Sequence, residues 1–222
     1  TIPATDFRKN CFVDFNIDNL TTNAEKLEAL AKYSNEPSYI LKAGAAATTY
    51  GGNVGGLSVK FRPVNGACDQ PLAIAGAVDV PLMRVEEMKL IEIEAAGMQN
   101  ESKGIEMLTE FAKKRDPQYE YGKHNEAYGN TSTSKFQNEV WWQRRVELWG
   151  EGFATFDIKR LNKGIIRSYA NSNHFDGDKW NTTKVPDWMT LCIVGSEADV
   201  NHALVNNPIP IAPTENSDEY VW

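Results

Sequence analysis

The chain has no basic stripe. Its 23 Lys and Arg are outnumbered by 30 Asp and Glu, its formal charge is -7 and its pI is near 5.1. Displacing counterions from phosphate needs clustered cations, so nucleic acid is excluded as a partner. No run approaches the roughly 18 apolar residues that a membrane-crossing helix requires. Cysteine is scarce as well: Cys11, Cys68 and Cys192 form an odd set without C-x-x-C spacing. That offers neither a zinc ribbon nor a redox pair, and no spacing signal joins Cys11 to Cys68. His124, His174 and His202 lie in separate segments with no second ligand at metal spacing, and no G-x-S-x-G elbow occurs. No metal and no cofactor is therefore expected. The opening residues T-I-P-A-T-D carry no initiator methionine, signal peptide or lipid-attachment cysteine, which reads as a trimmed or dissected product.

What is present is an ordinary globular composition, 41% hydrophobic and 24% charged over 222 residues, with six tryptophans, eight tyrosines and nine phenylalanines. A chain this long buries a full core. Its aromatics either pack that core or line a binding surface.

Residues 1–20 place Phe7, Phe12, Phe15 and Ile17 too irregularly for a strand and read as extended chain or loop. T-N-A-E at Thr22–Glu25 is a capping box, and Ala24, Leu27, Leu30 and Ala31 follow at helical spacing until Pro37. Tyr50 then stands among glycines in a small-residue tract from Lys42 to Leu57. No G-K-[ST] follows, so the tract reads as a loop presenting an aromatic rather than as a phosphate cradle.

From Pro81, Val85, Met88, Ile91, Ala95 and Met98 make one apolar stripe, the face expected to pack. Ile105, Leu108, Phe111 and Ala112 make a second, ended by Asp116-Pro117. Two helices over 84–117 look like one tetratricopeptide-type unit, which cannot bury both its faces alone. Gln118–Ser134 and Lys163–Asp187 are polar and turn-rich. Asn171, Asn173, Asp176 and Asp178 lack the spacing and closing glutamate of a calcium loop, so they read as a solvated turn.

Between these polar stretches lies Q-R-R-V-E-L-W-G-E-G-F-A-T-F-D-I-K-R, Gln143–Arg160. Trp142, Val146, Trp149 and Phe153 share one stripe, while Arg144, Glu147 and Glu151 share another, which predicts an interior helix with an ionic flank. Glu147 and Glu151 repel at i,i+4 unless Arg144, Arg145 or Arg160 neutralises them. Gly150 and Gly152 should end or bend the helix before Phe156, Asp157 and Arg160 begin a new turn. A glycosidase would use a carboxylate pair such as Glu147 and Glu151, but adjacent arginines lower their pKa values and spoil a general acid, so no catalytic residues are assigned.

That segment resembles the signature of the SusD/RagB family, surface nutrient-binding lipoproteins of Bacteroidetes outer membranes, roughly E-R-R-x-E-L-x-x-E-G-x-R-x-x-D-L-x-R. Arg144, Arg145, Glu147, Leu148, Glu151, Gly152, Asp157 and Arg160 match it without a gap; Gln143, Phe153 and Ala154 depart from it. V-K-F-R-P and D-V-P-L-M-R-V-E-E are similar to the family's approach to its last tetratricopeptide repeat, with Arg84, Glu86, Leu90, Glu94 and Ala95 in register. The run Ile193–Pro208 resembles its closing element through Glu197, Asn201, Leu204, Asn207 and Pro208, with Val194 in place of a proline.

The resemblance spans roughly 57–208 and corresponds to the C-terminal half of proteins about twice as long. It implies a mostly α fold, with tetratricopeptide-like helix pairs and a loop-rich irregular subdomain, as a single SusD-like region over 1–222. It also implies a non-enzymatic protein that binds an oligosaccharide or peptide and delivers it to a SusC-like TonB-dependent transporter. Such a protein would sit on the extracellular face of the outer membrane, anchored by lipid through a segment not in this chain, and its N-terminal half would be a further partner. The alternative is a tetratricopeptide-type adaptor that binds proteins only.

Sugars rest C–H faces on aromatic rings and bond through their hydroxyls. Aromatics in loops are therefore the candidate ligand contacts: Tyr50, Phe61, Tyr119, Tyr121, Tyr128, Trp180 and Trp188. Trp141, Trp142 and Trp149 are assigned to packing. Arg144, Arg145, Glu147, Glu151, Asp157 and Arg160 are assigned to a structural ion network.

Overall fold

The computed structural model describes residues 2–13, 57–58, 60, 81–170, 172, 174, 176–191, 193–205 and 207. The helix expected after Thr22, the glycine-rich loop with Tyr50, Phe61, Cys68 and Cys192 lie outside the described residues. The chain divides into two compact units, 1–84 with 115–118, and 85–114 with 119–222.

In the first unit, Asp6 caps a short 3-10 helix, Phe7–Cys11. Its carboxylate accepts from the Arg8 amide at 2.9 Å and from Arg8 Nη2 at 2.6 Å, and both side chains are buried. A buried charge is costly without a partner, and here each residue supplies the other's. The chain then enters β1, Phe12–Val13, which pairs antiparallel with β2, Leu57–Ser58, setting Phe12 opposite Ser58 and Val13 opposite Leu57.

The second unit contains helices α1 (Val85–Gln99), α2 (Glu101–Lys113), α3 (Lys135–Glu147), α4 (Phe153–Arg160) and the short α5 (Gly195–Val200). Asn100 alone separates α1 from α2 and caps the second, its Oδ1 accepting from the Lys103 amide at 3.2 Å. Ser134 and Gln137 close a reciprocal capping box on α3, at 3.1 and 3.0 Å. At the other end of α3, Gly150 and Gly152 adopt φ of +79° and +84°. Such left-handed backbone ends α3 and lets α4 start, the break expected from these two glycines.

Leu90, Ile93, Leu108, Phe111, Phe136, Val140 and Leu148 form the core where α1, α2 and α3 meet. The helices approach closely because two positions lack a side chain. A Cβ on Gly97 would collide with the Phe136 ring, and one on Gly104 would collide with the Gly97 backbone.

The buried face of α1 is not the one expected. Glu87, Leu90, Ile93 and Gly97 point inward, whereas Val85, Met88, Ile91, Ala95 and Met98 are exposed, Val85 at 65% and Met98 at 63%. Both sets obey helical spacing, so periodicity cannot choose between them. The choice falls to Gly97, which admits the Phe136 ring where Met98 could not. Trp141 and Trp142 are buried as expected, but Trp149 is 46% exposed because it follows the end of α3.

Candidate functional site

Helix α3 is buried nearly all round, from Phe136 through Arg144 to Glu147, so its charged residues must find partners inside. Arg144 Nε donates to both Asp157 oxygens at 3.0 and 2.8 Å. Arg160 Nε donates to the same carboxylate at 2.7 Å, and its two terminal nitrogens grip Glu94 at 2.5 and 2.8 Å. One carboxylate on α4 thus joins α3 to α4, and a second on α1 ties the end of α4 back to the helical pair. Burial opposes the charge on Arg160, but its bonds to Glu94 and Asp157 outweigh that and raise its pKa. Within this cluster the Arg144 bonds join α3 to α4 and the Glu94 bonds join α1 to α4, while Arg160 to Asp157 lies within α4.

Arg145 lies outside that cluster. It is exposed, and its guanidinium sits 4.9 Å above both the Tyr128 and the Trp141 rings, while Tyr128 meets Trp141 edge-on at 5.0 Å. The three groups form a cation between aromatic faces. Glu147 is buried and Glu151 half-buried on the turn between α3 and α4.

The loops that carry the other candidate rings are held by discrete polar bonds. Lys163 is wholly buried, and its ammonium donates to Ala127 O at 2.7 Å, Asn130 O at 3.2 Å, Thr133 Oγ1 at 2.5 Å and Asn138 Oδ1 at 2.8 Å. Four neutral oxygens replace the water around the charge, and burial lowers its pKa. The Gly164 amide donates to Tyr128 O at 2.7 Å, and Gly129 packs against the Thr183 backbone where a Cβ would not fit. An isolated bridge between Ile166 and Asn181 is extended by Arg167 N to Trp180 O at 3.0 Å and Thr182 N to Ile165 O at 2.9 Å. The 119–134 and 163–183 loops therefore form one layer.

Tyr128 and Trp188 are half-buried in that layer, and Trp188 meets the buried Trp180 edge-on at 6.1 Å. The Arg167 guanidinium covers Trp180 at 4.4 Å. Tyr119 is buried, its hydroxyl donating to Glu139 Oε2 at 2.9 Å; burial, then the Glu139 charge, hold its pKa far above the ordinary phenol value. Tyr121 is half-buried beneath Lys135, its hydroxyl enclosed without a partner among the described residues, and burial followed by the charges of Glu101 and Glu139 pushes it up to about 12. The structure thus brings Tyr128, Trp180 and Trp188 into one layer. Tyr119 and Tyr121 belong to the neighbourhood of Glu139, and Tyr50 and Phe61 lie outside the described residues.

Sequence reasoning missed four residues of this architecture. Glu94 was in register with the family pattern, but its partner Arg160 is 66 positions away. Lys163 gives no local signal, since its four acceptors, three in the loop before α3 and one on α3 itself, lie 25 to 36 positions away. Glu139 accepts both Tyr119 Oη–H and the His124 amide, the latter at 2.7 Å, and His124 stacks on Trp142 at 3.6 Å. Trp141 was assigned to packing, yet it also underlies Arg145 and Lys163.

Among the described residues no group of His, Cys, Asp and Glu could hold a metal ion, and no helix is long and apolar enough to cross a membrane. No curated protein and no solved structure matches the chain significantly. A family model described as the SusD family matches residues 14–218, beyond the 57–208 span of the motif resemblance. Taken with the helical core and the Arg144–Asp157–Arg160 cluster built from its signature residues, that match establishes that the chain belongs to the SusD family, whose members are nutrient-binding proteins associated with transport.

Proposed function

We propose that this chain captures an oligosaccharide or peptide on the aromatic loop layer of its second unit and delivers it to a SusC-like TonB-dependent transporter at the outer-membrane surface. The observation that carries the reading is the Tyr128, Arg145 and Trp141 stack. It offers the half-buried Tyr128 ring and an exposed guanidinium, backed by the buried Trp141 ring, beside a layer already rigidified by Lys163. A sugar lays its apolar C–H face on such rings while its hydroxyls accept from the guanidinium, and a peptide uses the same groups. Prior ordering lowers the entropy lost on binding.

Tyr128 and Trp188 are the rings with surface to give. Tyr119 and Trp180 are buried and support the layer from beneath, and Tyr121 flanks it. Tyr50 and Phe61 remain candidates by sequence. The Arg144, Asp157, Arg160 and Glu94 cluster is scaffold: it ties α4 to α3 through Asp157 and to α1 through Glu94, and no general acid is needed for capture. Lipid anchoring through a segment outside this chain and a contribution from an N-terminal half belong to the same reading.

The exposed apolar stripe of α1, Val85, Met88, Ile91 and Met98, supplies the docking face for a partner protein. That stripe also favours a second reading, a tetratricopeptide-type adaptor with no small ligand. Calorimetric titration against a panel of glycans and peptides separates the two. Saturable binding that weakens about tenfold in Tyr128→Ala or Trp188→Ala, with little change in thermal stability, supports capture. Silence across the panel, with retained binding to a transporter barrel, supports the adaptor.

A further inference from the structure

The second unit holds four arginines, and they divide by partner. Arg144 and Arg160 close on the carboxylates of Asp157 and Glu94. Arg145 and Arg167 close on rings instead, Arg145 on Tyr128 and Trp141 at 4.9 Å and Arg167 on Trp180 at 4.4 Å, and neither reaches a carboxylate among the described residues. The Lys163 ammonium, 5.3 Å from the Trp141 ring, is likewise met by neutral oxygens alone among the described residues. Three cations in or against the loop layer are thus uncompensated, in a chain whose formal charge is -7.

Burial gives the three different parts. Lys163 is enclosed and Arg167 half-buried, so they act through their field, whereas Arg145 is exposed and open to direct contact. A ring face attracts a cation but gives no oxygen to its N–H donors, so Arg145 keeps its hydrogen-bonding capacity. Its neighbour is fixed in place: Tyr128 holds a left-handed backbone, φ +46°, with its carbonyl taken by the Gly164 amide at 2.7 Å. We infer, on the reading that this layer captures ligand, that the ligand is an acidic oligosaccharide whose uronate carboxylate takes the Arg145 donors as a bidentate pair. The same sugar lays its apolar C–H face on the half-buried Tyr128 ring. An acidic peptide fits less well. Both unpaired arginines are donors only, and each peptide residue brings a backbone N–H that needs an acceptor, whereas a uronate brings carboxylate, ring and glycosidic oxygens.

The test titrates the full chain by calorimetry with oligosaccharides of galacturonate, glucuronate and mannuronate, each beside its methyl ester, and with an acidic peptide of matched charge. Esterification keeps the rings and hydroxyls and removes the charge. The expected result is that at least one acid binds about tenfold tighter than its ester, the worth of one charge-assisted pair. Added salt should weaken the acid and spare the ester. Arg145→Gln should bring the ratio of acid to ester affinity to about one, and Arg145→Lys, which keeps the charge but not the fork, should restore part of it. The comparison of acid with ester is made on the unaltered chain, so it stands even if a variant fails to fold. Equal affinity for acid and ester, or binding of neutral glycans alone, would overturn the acidic ligand and leave capture intact. Tighter binding of the peptide than of any uronate would overturn the saccharide, and a preference that survives Arg145→Gln in a folded chain would overturn the part given to Arg145. Silence toward every sugar and peptide, acidic or neutral, would overturn capture and this inference together.

Discussion

The helical core and the loop layer of the second unit are held together by opposite means. In the core, Leu90, Leu108, Phe136 and Val140 interdigitate across three helices, and their contribution scales with area removed from water. In the loop layer, Lys163, Asn138, Thr133 and the Ile166 to Asn181 bridge act through single directional bonds. Apolar packing distributes a loss over many neighbours, but a buried ammonium that loses its oxygens has no substitute. A binding surface made of irregular backbone therefore needs the second kind of support, because it has too few apolar contacts for the first.

The sharpest way to break this contrast is to damage each side once. Phe136→Ala removes a ring packed on Gly97 and Gly104 and should cost about 3–5 kcal/mol, read as a global fall in the denaturant midpoint. Lys163→Met keeps the volume but strips four acceptors of their donor, at a cost of roughly 2–4 kcal/mol. Its effect should be regional: amide exchange at Gly164, Ile165 and Arg167 should accelerate, while Leu108 and Val140 keep their protection. Equal acceleration in both regions would remove the distinction between core and layer.

A smaller effect lies at alkaline pH. Tyr121 is raised to about 12 from 10.0, so the folded state keeps a proton that the unfolded chain releases. The stability this contributes is whole below pH 10 and is lost as pH climbs from 10 towards 12. Tyr119, raised in the same direction, adds to the slope. Tyr121→Phe should flatten that fall in a series of melts between pH 9 and 11, around the ordinary phenol pKa of about 10, and should leave stability near pH 7 unchanged, because the lost hydroxyl has no partner among the described residues. The smallest expected change is at Gln143, wholly buried with neither amide atom bonded among the described residues. Gln143→Leu should alter stability by less than about 1 kcal/mol, or raise it, since it removes two unsatisfied polar atoms of similar bulk. A large loss there would show that a buried water serves the amide.

Several features were legible because their causes are local. Gly150 and Gly152 break the helix through their own backbone freedom, and the polar run before Lys135 ends in a serine that caps α3 through the fourth residue of the same turn. Arg144, Asp157 and Arg160 sit on consecutive helices, so their spacing already put them within reach. By contrast, the α1 stripe was assigned to the wrong side, since Met88 and Ile91 satisfy helical spacing as well as Leu90 and Ile93 do. Glu94 and Lys163 were not assigned a role because their partners lie far along the chain.

What the chain order determined by itself was therefore the helical pair over 84–117, the break at Gly150 and Gly152, and the membership of the SusD family carried by a motif within 18 positions. These depend on backbone preferences and neighbours a turn or two away. Tertiary structure alone decided which face of α1 is buried, where the Lys163 charge is solvated, and which aromatic rings keep surface to offer a ligand. Each of these depends on what comes to rest against a residue from elsewhere in the fold, and burial is a property of that encounter rather than of the residue.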